Sequence, residues 1–403
     1  MPTDQGKKFN KRLLIIFMIQ FTEILGFSSV MPLIPILGIE LGLNSAQVGL
    51  ILSIFSICQL FASPITGKIS DRFGRKPLLL FSQTSTLIGF LLLGFANNVW
   101  ILIAARLVDG LLGSNMTVTQ AYISDVTDPK SRTKVYGYAS AVFGAGLIFG
   151  PMIGSVFLII SFSAPFFFAA GVSLLSTILV IIFLPESLTK KDIKVEFKLR
   201  DIVPIKEAKI FFKSAKIRGV LMTYLIYSFG FFLFITTFSL FTQYQINVTP
   251  QEITFYMAYM GILRVLFQSF LINPILKKVS ENTTLKVGIF AMIFTFVFFI
   301  FSTNFWIVFI PITFLAFGTG VVRPILTSKL TKSVKREETG SILGVNNTLT
   351  SAAMIITPIL GGFILLSPFT QILPAISAII FSLIIVLWRR LIVKPNQEEK
   401  LEV

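Results

Sequence analysis

The chain has 403 residues, of which 54% are hydrophobic and only 13% are charged. A soluble globular protein uses roughly a quarter of its residues as charged groups, so this composition excludes a water-soluble fold and predicts a surface that faces lipid. A single Cys and the absence of His exclude a disulfide and a Cys/His metal site. No metal or other cofactor is therefore expected, and proton chemistry falls to carboxylates.

Twelve stretches are apolar and long enough to cross a bilayer, whose hydrocarbon core of about 30 Å requires roughly 20 helical residues. In chain order they are Leu13–Ile39, Ala46–Thr66, Leu78–Phe95, Val99–Gln120, Tyr136–Ile160, Ala164–Leu184, Gly219–Gln243, Ile253–Ile275, Leu285–Ser302, Phe305–Thr327, Ser341–Leu366 and Gln371–Trp388. The first stretch is too long and too rich in Pro and Gly for a cleaved signal peptide. We therefore expect an all-α membrane protein with twelve transmembrane helices.

The positions of the cations predict the orientation, because Lys and Arg favour cytoplasmic loops. Of the 35 Lys and Arg, Arg106, Arg264 and Arg323 lie deep inside spans, and the others, with Lys286 at the start of the ninth span, lie on or beside alternate loops that include both termini. Both termini are therefore expected in the cytoplasm, in a multi-pass protein of the cell membrane. Attraction to anionic lipid headgroups explains the net charge of +16 without nucleic acid.

The longest loop carries ten cations and divides the spans six and six. It predicts an N-terminal six-helix bundle over residues 1–186, a basic cytoplasmic linker over 187–217 that includes a short surface helix, and a C-terminal six-helix bundle over 218–403. A weak internal repeat supports two pseudo-symmetric bundles, as expected for a transporter with parallel repeats. Residues of the fifth span recur 207 positions later in the eleventh: Gly137, Pro151 and Gly154 as Gly344, Pro358 and Gly361.

The loop after the second span carries the most specific motif of the chain. It reads Gly67-Lys-Ile-Ser-Asp71-Arg72-Phe-Gly74-Arg75-Lys76. This resembles the G-x-x-x-D-R-x-G-R-K signature of the major facilitator superfamily, a group of twelve-helix transporters, whereas cation placement alone would explain only a basic loop. The resemblance implies a latch that holds the cytoplasmic gate shut, in which Gly67 allows close helix approach and Asp71 pairs with Arg side chains and a helix amino terminus. Asp125, at the end of the fourth span, would complete this network.

The fifth span contains Gly146, Gly150, Pro151 and Gly154 at the spacing G-x-x-x-G-P-x-x-G. Small residues at such spacing are common in membranes for packing alone, but here a Pro that bends the helix is added. The stretch resembles the signature of the antiporter branch of the family, with Ser155 in place of the last Gly. The resemblance implies export coupled to inward proton flow.

The first span carries Glu23 about ten residues into its helix, which places the carboxyl roughly 15 Å deep, near the membrane midplane. The surrounding pattern, with Gly26 and then Pro32 and Pro35, resembles that of bacterial drug and tetracycline exporters. Its protonation should depend on which side of the membrane the cavity faces, which suits a proton carrier. The alternative is a permanently protonated, hydrogen-bonded structural residue.

The fourth span resembles the family pattern L-x-x-x-R-x-x-Q-G, with Arg106 at the Arg position and Asp109 in place of Gln. Residues three apart share a helix face, so the two can pair. Asp109 either serves only to neutralise Arg106 in the bilayer, where an isolated charge costs about 2.5–3.5 kcal/mol, or takes part in proton coupling.

Three further polar residues inside spans are candidates for a substrate cavity: Gln20, Arg264 and Arg323. Arg264 lies midway through the eighth span and is a candidate anion contact, whereas Arg323 is placed where its long side chain could reach the cytoplasmic surface. The stretch around Arg323 resembles Gram-positive multidrug exporters, some of which have acids at positions that here are Ile235 and Gly320. The 43 Phe residues suit either an aromatic pocket or contact with lipid.

The sequence thus predicts a monomeric secondary transporter that exports small amphipathic compounds such as drugs in exchange for protons, by alternating access. The alternative is a proton-coupled transporter of a polar metabolite, such as a sugar or an amino acid. A transporter-derived sensor would usually carry an added soluble domain. An enzyme is disfavoured, because no nucleophile-base pair, metal cluster or nucleotide loop can be identified.

Overall fold

The computed structural model describes residues 11–128, 131–188, 205–335, 338–388, 390 and 392, and every regular element among them is a helix. Helices suit a chain of this composition, because a helix satisfies its own backbone hydrogen bonds in a medium without water. The protein is an all-α, multi-pass membrane protein, as predicted.

Eight helices form the first six spans. They are α1 (Lys11–Val30), α2 (Ile34–Glu40), α3 (Ser45–Phe73), α4 (Arg75–Gly94), α5 (Val99–Leu112), α6 (Asn115–Asp125), α7 (Arg132–Leu158) and α8 (Ala164–Phe183). Two spans are interrupted: α1 and α2 make up the first, broken around Pro32, and α5 and α6 make up the fourth, broken at Gly113 and Ser114.

The remaining described helices are a short linker helix and the last six spans. They are α9 (Ile205–Lys213), α10 (Ala215–Ile235), α11 (Phe238–Ile246), α12 (Pro250–Leu266), a π-helix (Phe267–Leu271), α13 (Ile272–Lys278), α14 (Glu281–Ile300), α15 (Phe309–Lys332), α16 (Thr339–Ile364) and α17 (Ile372–Val386). The helix α9 lies within the predicted basic linker, of which residues 189–204 are outside the described part. A π-helical turn interrupts the eighth span.

Helices occupy all twelve predicted positions, so the twelve-span prediction is confirmed. Eleven of the described helical stretches are long and apolar enough to cross a membrane, and the twelfth, Ile372–Val386, is shorter. The main difference is in length: α3 ends at Phe73, whereas the apolar stretch ends at Thr66. A helix continues past the hydrocarbon boundary because charged residues outside the membrane need no apolar partner.

Large apolar side chains lie on the outer faces of the spans. Phe81 is 56% exposed, Leu174 47% and Ile182 64%. Water would penalise each such surface by roughly 25 cal/mol per Å² of apolar area. The bilayer removes that penalty, which is why the outer surface of these helices can be apolar.

The described residues fall into two units by contact, one within Met1–Met31 and Cys58–Phe197, the other within Pro32–Ile57 and Lys198–Val403. In the first unit α7 packs on α1, and α4 packs on α8. In the second unit α16 packs on α10, as α7 does on α1, and the starts of α7 and α16 differ by the 207 positions of the sequence repeat. The repeat therefore has a counterpart in the helix pairing.

The segment Pro32–Ile57 packs with the second unit although it precedes residue 186 in sequence. Small residues make this contact: Ser45 Oγ donates to the Gly362 carbonyl at 2.8 Å, and Ser53 Oγ donates to the Ile355 carbonyl at 2.6 Å. A Cβ at Gly49 would overlap the Pro358 carbonyl. The start of the second span therefore lies directly against the eleventh span.

Candidate functional site

The break in the fourth span brings two carboxyl groups into one polar cluster. The helix α5 ends after Asp109, and α6 starts at Asn115. Glu23, on α1, faces both Asn115 and Asp109. The structure thus brings together the two acids that the sequence analysis proposed as proton carriers.

Asp109 is 4% exposed and has two partners from different parts of the fold. Thr86 Oγ1, on α4, donates to Asp109 Oδ1 at 2.8 Å, and Arg106 Nη2 lies 3.8 Å from Asp109 Oδ2. Asn115 Nδ2 in turn donates to Thr86 Oγ1 at 2.9 Å. Polar groups therefore run from Glu23 through Asn115 and Thr86 to Asp109 and Arg106.

Gln59, on α3, stabilises the break itself. Its amide nitrogen lies 2.9 Å from the Gly113 carbonyl and 3.5 Å from the Asp109 carbonyl. A helix that stops inside a membrane leaves carbonyl groups without helical partners. A side-chain amide from a neighbouring span can supply the missing donor, so the interruption next to Asp109 is stable.

Glu23 has one carboxyl oxygen available for protonation. Its Oε2 is buried and has no hydrogen-bond partner among the described residues. A proton can therefore bind at this atom without breaking an existing bond of the described structure.

Gln20 lies one turn before Glu23 and is 4% exposed. Its amide nitrogen donates to the Ala139 carbonyl of α7 at 3.3 Å, while its Oε1 has no partner in the described part of the chain. Gln20 thus connects the first and fifth spans and has an acceptor left for a ligand or water.

The motif in the loop after the second span is organised around Arg75, the first residue of α4. Its Nη2 lies 2.5 Å from Asp71 Oδ1, its Nε lies 2.9 Å from Asp125 Oδ2, and its Nη1 donates to Ser70 Oγ at 2.5 Å. One guanidinium therefore joins the end of the second span to the end of the fourth. Arg–carboxylate hydrogen bonds of this kind are among the stronger ones in proteins.

The carboxylate at the helix amino terminus is Glu186, not Asp71 as the sequence analysis expected. Glu186 Oε1 accepts from the Arg75 backbone N–H at 2.9 Å, and Oε2 accepts from that of Lys76 at 3.2 Å. Gly74, at φ +111°, makes this approach feasible, since a Cβ there would overlap the Glu186 carboxylate. Glu186 follows directly after the sixth span, so it ties that span to the start of the third.

The other motif residues have smaller roles in this geometry. Lys76 Nζ donates to the Ile181 carbonyl at 2.9 Å, and the Arg72 guanidinium lies 5.3 Å from the Phe73 ring centroid. A Cβ at Gly67 would lie 3.5 Å from Thr117 Cγ2, an ordinary van der Waals distance. Helix packing in this structure therefore does not require glycine at position 67.

The glycines of the fifth span pack directly against the first span, just after Glu23. A Cβ at Gly146 would lie 2.7 Å from Ile24 Cγ2, one at Gly154 would lie 2.7 Å from the Ser29 carbonyl, and one at Gly150 would overlap Ser28 Oγ. Ser28 Oγ also donates to the Gly146 carbonyl at 2.9 Å. The motif thus fixes the helix that carries Glu23. Pro151, next to Gly150, lies inside α7.

Arg264 and Arg323 belong to a second polar cluster, in the C-terminal half. Arg323 lies within electrostatic reach of Tyr224 and Tyr227, and Arg264 lies within electrostatic reach of both tyrosines and of Arg323. Tyr224 is only 4% exposed, whereas Arg323 is exposed, so whether its side chain reaches the cytoplasmic surface stays a prediction.

Sequence reasoning missed five residues of these clusters: Gln59, Thr86, Asn115, Glu186 and Tyr224. Two signals could have identified some of them. Glu186 is an acid placed just after an apolar span in a loop of net positive charge, and Tyr224 and Tyr227 are three residues apart, on one helix face. Nothing in the sequence distinguishes Thr86 and Asn115 from other polar residues, and only their contacts in the structure identify them as part of the cluster.

Comparison with known proteins identifies the family. The profile of the Major Facilitator Superfamily matches residues 16–358, and a second match covers 221–403. The chain belongs to the Major Facilitator Superfamily. This superfamily is a group of transporters, and its twelve-helix architecture is the one that the spans predicted.

Two characterised members of the superfamily are similar over most of the chain. The class H tetracycline resistance protein of Pasteurella multocida is 30% identical over 358 residues, which are 88% of this chain and 89% of that protein. The quinolone resistance protein NorA of Staphylococcus aureus (strain COL) is 28% identical over 355 residues, 88% of this chain and 89% of NorA. The crystal structure of the nucleoside transporter NupG has the same fold, with a TM-score of 0.77 at 14% identity, and the match covers 94% of this chain and 99% of NupG.

Proposed function

We propose that this superfamily member exports small amphipathic compounds, drugs among them, in exchange for protons. The observation that carries the proposal is the membrane-embedded pair Glu23 and Asp109, joined through Asn115 and Thr86. Two relatives similar over 88% of the chain are resistance proteins for tetracycline and quinolones, which supports export as the direction. A transporter of a polar metabolite is not favoured, since neither relative is named as one.

In this mechanism Glu23 binds the proton, and the ionisation of Asp109 depends on whether Glu23 carries that proton. Ionised Glu23 and ionised Asp109 repel each other across the cluster, so protonation of one relieves the other. Arg106, 3.8 Å from Asp109, stabilises the ionised form of that carboxylate. Because Thr86 bonds both Asp109 and Asn115, a change of charge at Glu23 can alter the packing of the third and fourth spans.

Arg75 has the central role in the proposed cytoplasmic gate. Its bonds to Asp71 and Asp125 hold the cytoplasmic ends of the second and fourth spans together, and Glu186 adds the sixth. In an alternating-access cycle this cluster would stabilise the cytoplasmic ends as one rigid group. Arg72 and Lys76 contribute positive charge at the membrane surface.

The proposed location is the cell membrane, with both termini in the cytoplasm and the transporter acting as a monomer. The cation distribution supports this orientation. Reporter domains fused after Lys198 and at the carboxyl terminus should both report the cytoplasm. An external signal at either position would contradict the proposed topology.

The test of coupling is Glu23→Gln in proteoliposomes. The amide keeps the shape of the side chain and cannot titrate, so transport of tetracycline or a fluoroquinolone driven by a pH gradient should be lost, while downhill exchange of the same compound persists. Glu40→Gln is the matched control, because Glu40 ends the first span outside the cluster. Uphill transport with an unchanged pH dependence in Glu23→Gln would show that another group carries the proton.

A further inference from the structure

The C-terminal half contains a cluster of two arginines and two tyrosines that the proton mechanism does not use. Tyr224 and Tyr227 lie on one face of α10, are 4% and 3% exposed, and have ring centroids 6.2 Å apart. Arg323, on α15, and Arg264, on α12, both lie within electrostatic reach of these two tyrosines. Three spans thus bring cationic and hydroxyl groups close together.

No carboxylate balances these two cations within the described residues. The three helices that carry the cluster contain one acid, Glu252, which caps its own helix by accepting from the Thr249 backbone N–H at 2.7 Å. Neither arginine forms an ion pair among the described side chains. The N-terminal half differs, since Arg106 there lies beside Asp109.

This arrangement is costly without a ligand. A single charged side chain at the membrane centre is strongly disfavoured, and two like charges also repel. Ionisable groups inside a membrane are therefore treated as functional by default. Both arginines retain accessible surface.

Two local features shape the space beside Arg264. The π-helix Phe267–Leu271 begins three residues after it, and π-helical turns are frequent at functional sites. Opposite, a Cβ at Gly320 would lie only 3.6 Å from the Arg264 carbonyl and 3.8 Å from Phe267 Cβ. Gly320 and Arg323 are three residues apart, so one face of α15 presents both to this region.

Aromatic rings adjoin the cationic groups. Phe231 stacks on Tyr227 with ring centroids 6.0 Å apart and planes 2° from parallel, and Phe267 contacts Phe317 at 5.7 Å. A guanidinium matches a carboxylate through two parallel hydrogen bonds, and Arg also stacks on aromatic faces. The groups present therefore suit a planar apolar body that carries an anion.

We propose that Arg264 and Arg323, with the hydroxyls of Tyr224 and Tyr227, bind the carboxylate of an aromatic amphipathic substrate. This inference rests on the proposed function, since it names the chemical class of the exported compound. The anion replaces the missing acid of the C-terminal half, and the neighbouring rings contact the apolar part of the substrate.

The test compares a quinolone carboxylic acid that lacks a basic amine with its ethyl ester. Binding is measured by equilibrium dialysis on the purified full chain in phosphatidylcholine nanodiscs, where no anionic lipid can occupy the site. Wild type should bind the acid about tenfold or more tighter than the ester, as expected for a charged hydrogen-bond partner. Arg264→Gln and Arg323→Gln should each remove most of that preference while ester binding changes less than about twofold.

Two further variants separate a specific effect from misfolding. Tyr224→Phe removes only a hydroxyl and should lose part of the preference, and Arg218→Gln removes an exposed cation at the start of α10 and should lose none. Equal affinity of wild type for acid and ester, or an equal loss of both in Arg264→Gln, would overturn the inference. Proton-driven transport of the ester by wild type is measured in parallel. If the ester is transported but the acid is not bound more tightly than the ester, only the proposed anion site is wrong. If the acid is bound more tightly but no proton-driven transport occurs, only the proposed proton coupling is wrong.

Discussion

Gly150→Ala is the sharpest test of the helix packing that holds Glu23 in place. The added Cβ would overlap Ser28 Oγ and lie 2.8 Å from the Leu25 carbonyl. A hydroxyl can rotate away, but a backbone carbonyl cannot move without shifting the first span. Overpacking of this kind costs about 1–3 kcal/mol. Since Ala is favoured over Gly in a helix by about 1 kcal/mol, the net destabilisation should be up to about 2 kcal/mol.

The matched control lies on the same helix. Gly137→Ala meets no atom within 4 Å, so it should be neutral or stabilising by up to about 1 kcal/mol. The measurement is the midpoint of thermal unfolding of the purified transporter, with proton-driven uptake recorded alongside. A Gly150→Ala protein that melts as high as Gly137→Ala would refute the packing argument. A normal melting point with lost transport would instead show that the motif acts in the conformational change.

Two other predictions concern buried or capping carboxylates. Glu186→Gln should lower the melting midpoint, because the Arg75 N–H at the start of α4 loses a charged acceptor worth about 0.5–2 kcal/mol. The control Glu207→Gln, at an exposed site on α9, should leave the midpoint unchanged. Equal midpoints for the two variants would exclude Glu186 as a cap. Asp109→Asn should destabilise the protein, since Arg106 loses its carboxylate in a buried place, and the double variant Arg106→Gln, Asp109→Asn should regain stability. Simple additivity of the two single effects would show that the residues are not coupled.

The fold was largely predictable because the bilayer imposes a length on each apolar stretch. The twelve spans follow from runs of about 20 apolar residues, and the orientation prediction follows from cation counts. The positions at which the helical spans are interrupted were harder to predict from the sequence. The break after Leu112 depends on Gln59 of another span bonding the Gly113 carbonyl, and the π-helix after Arg264 has no Pro to mark it. Such features are decided by neighbouring helices.

The charged residues of the candidate sites could be predicted from the sequence. The neutral hydrogen-bond donors that connect them could not. Glu23 and Asp109 stand out in apolar spans, since a charge there requires an explanation. Thr86 connects them, yet a threonine in a membrane helix usually bonds its own backbone. Glu186 replaced Asp71 at the helix amino terminus because the end of the sixth span lies beside the start of the third, which the local sequence does not show.

The two clusters together determine how transport should respond to the membrane potential. Inward movement of one proton and outward movement of one carboxylate anion each transfer one positive charge equivalent inward, so the exchange moves two charges. At about 2.3 kcal/mol per charge per 100 mV, this provides about 4.6 kcal/mol at 100 mV. A neutral substrate exchanged for one proton moves one charge, and a monovalent cation moves none. The charge of the substrate therefore sets the voltage dependence.

Voltage dependence can be measured in proteoliposomes with a potassium diffusion potential and no pH gradient. At 60 mV, a quinolone acid without a basic amine should reach a transporter-mediated gradient of about a hundredfold, and its ethyl ester one of about tenfold. The factor of ten between them is the contribution of one additional charge. Glu23→Gln should abolish both gradients if it removes proton exchange, whereas Arg264→Gln should reduce the rate for the acid and leave the final gradient unchanged, because a binding residue does not alter stoichiometry. Equal gradients for acid and ester would mean that the acid crosses in its neutral form, and the carboxylate could not then be the species bound by the arginines.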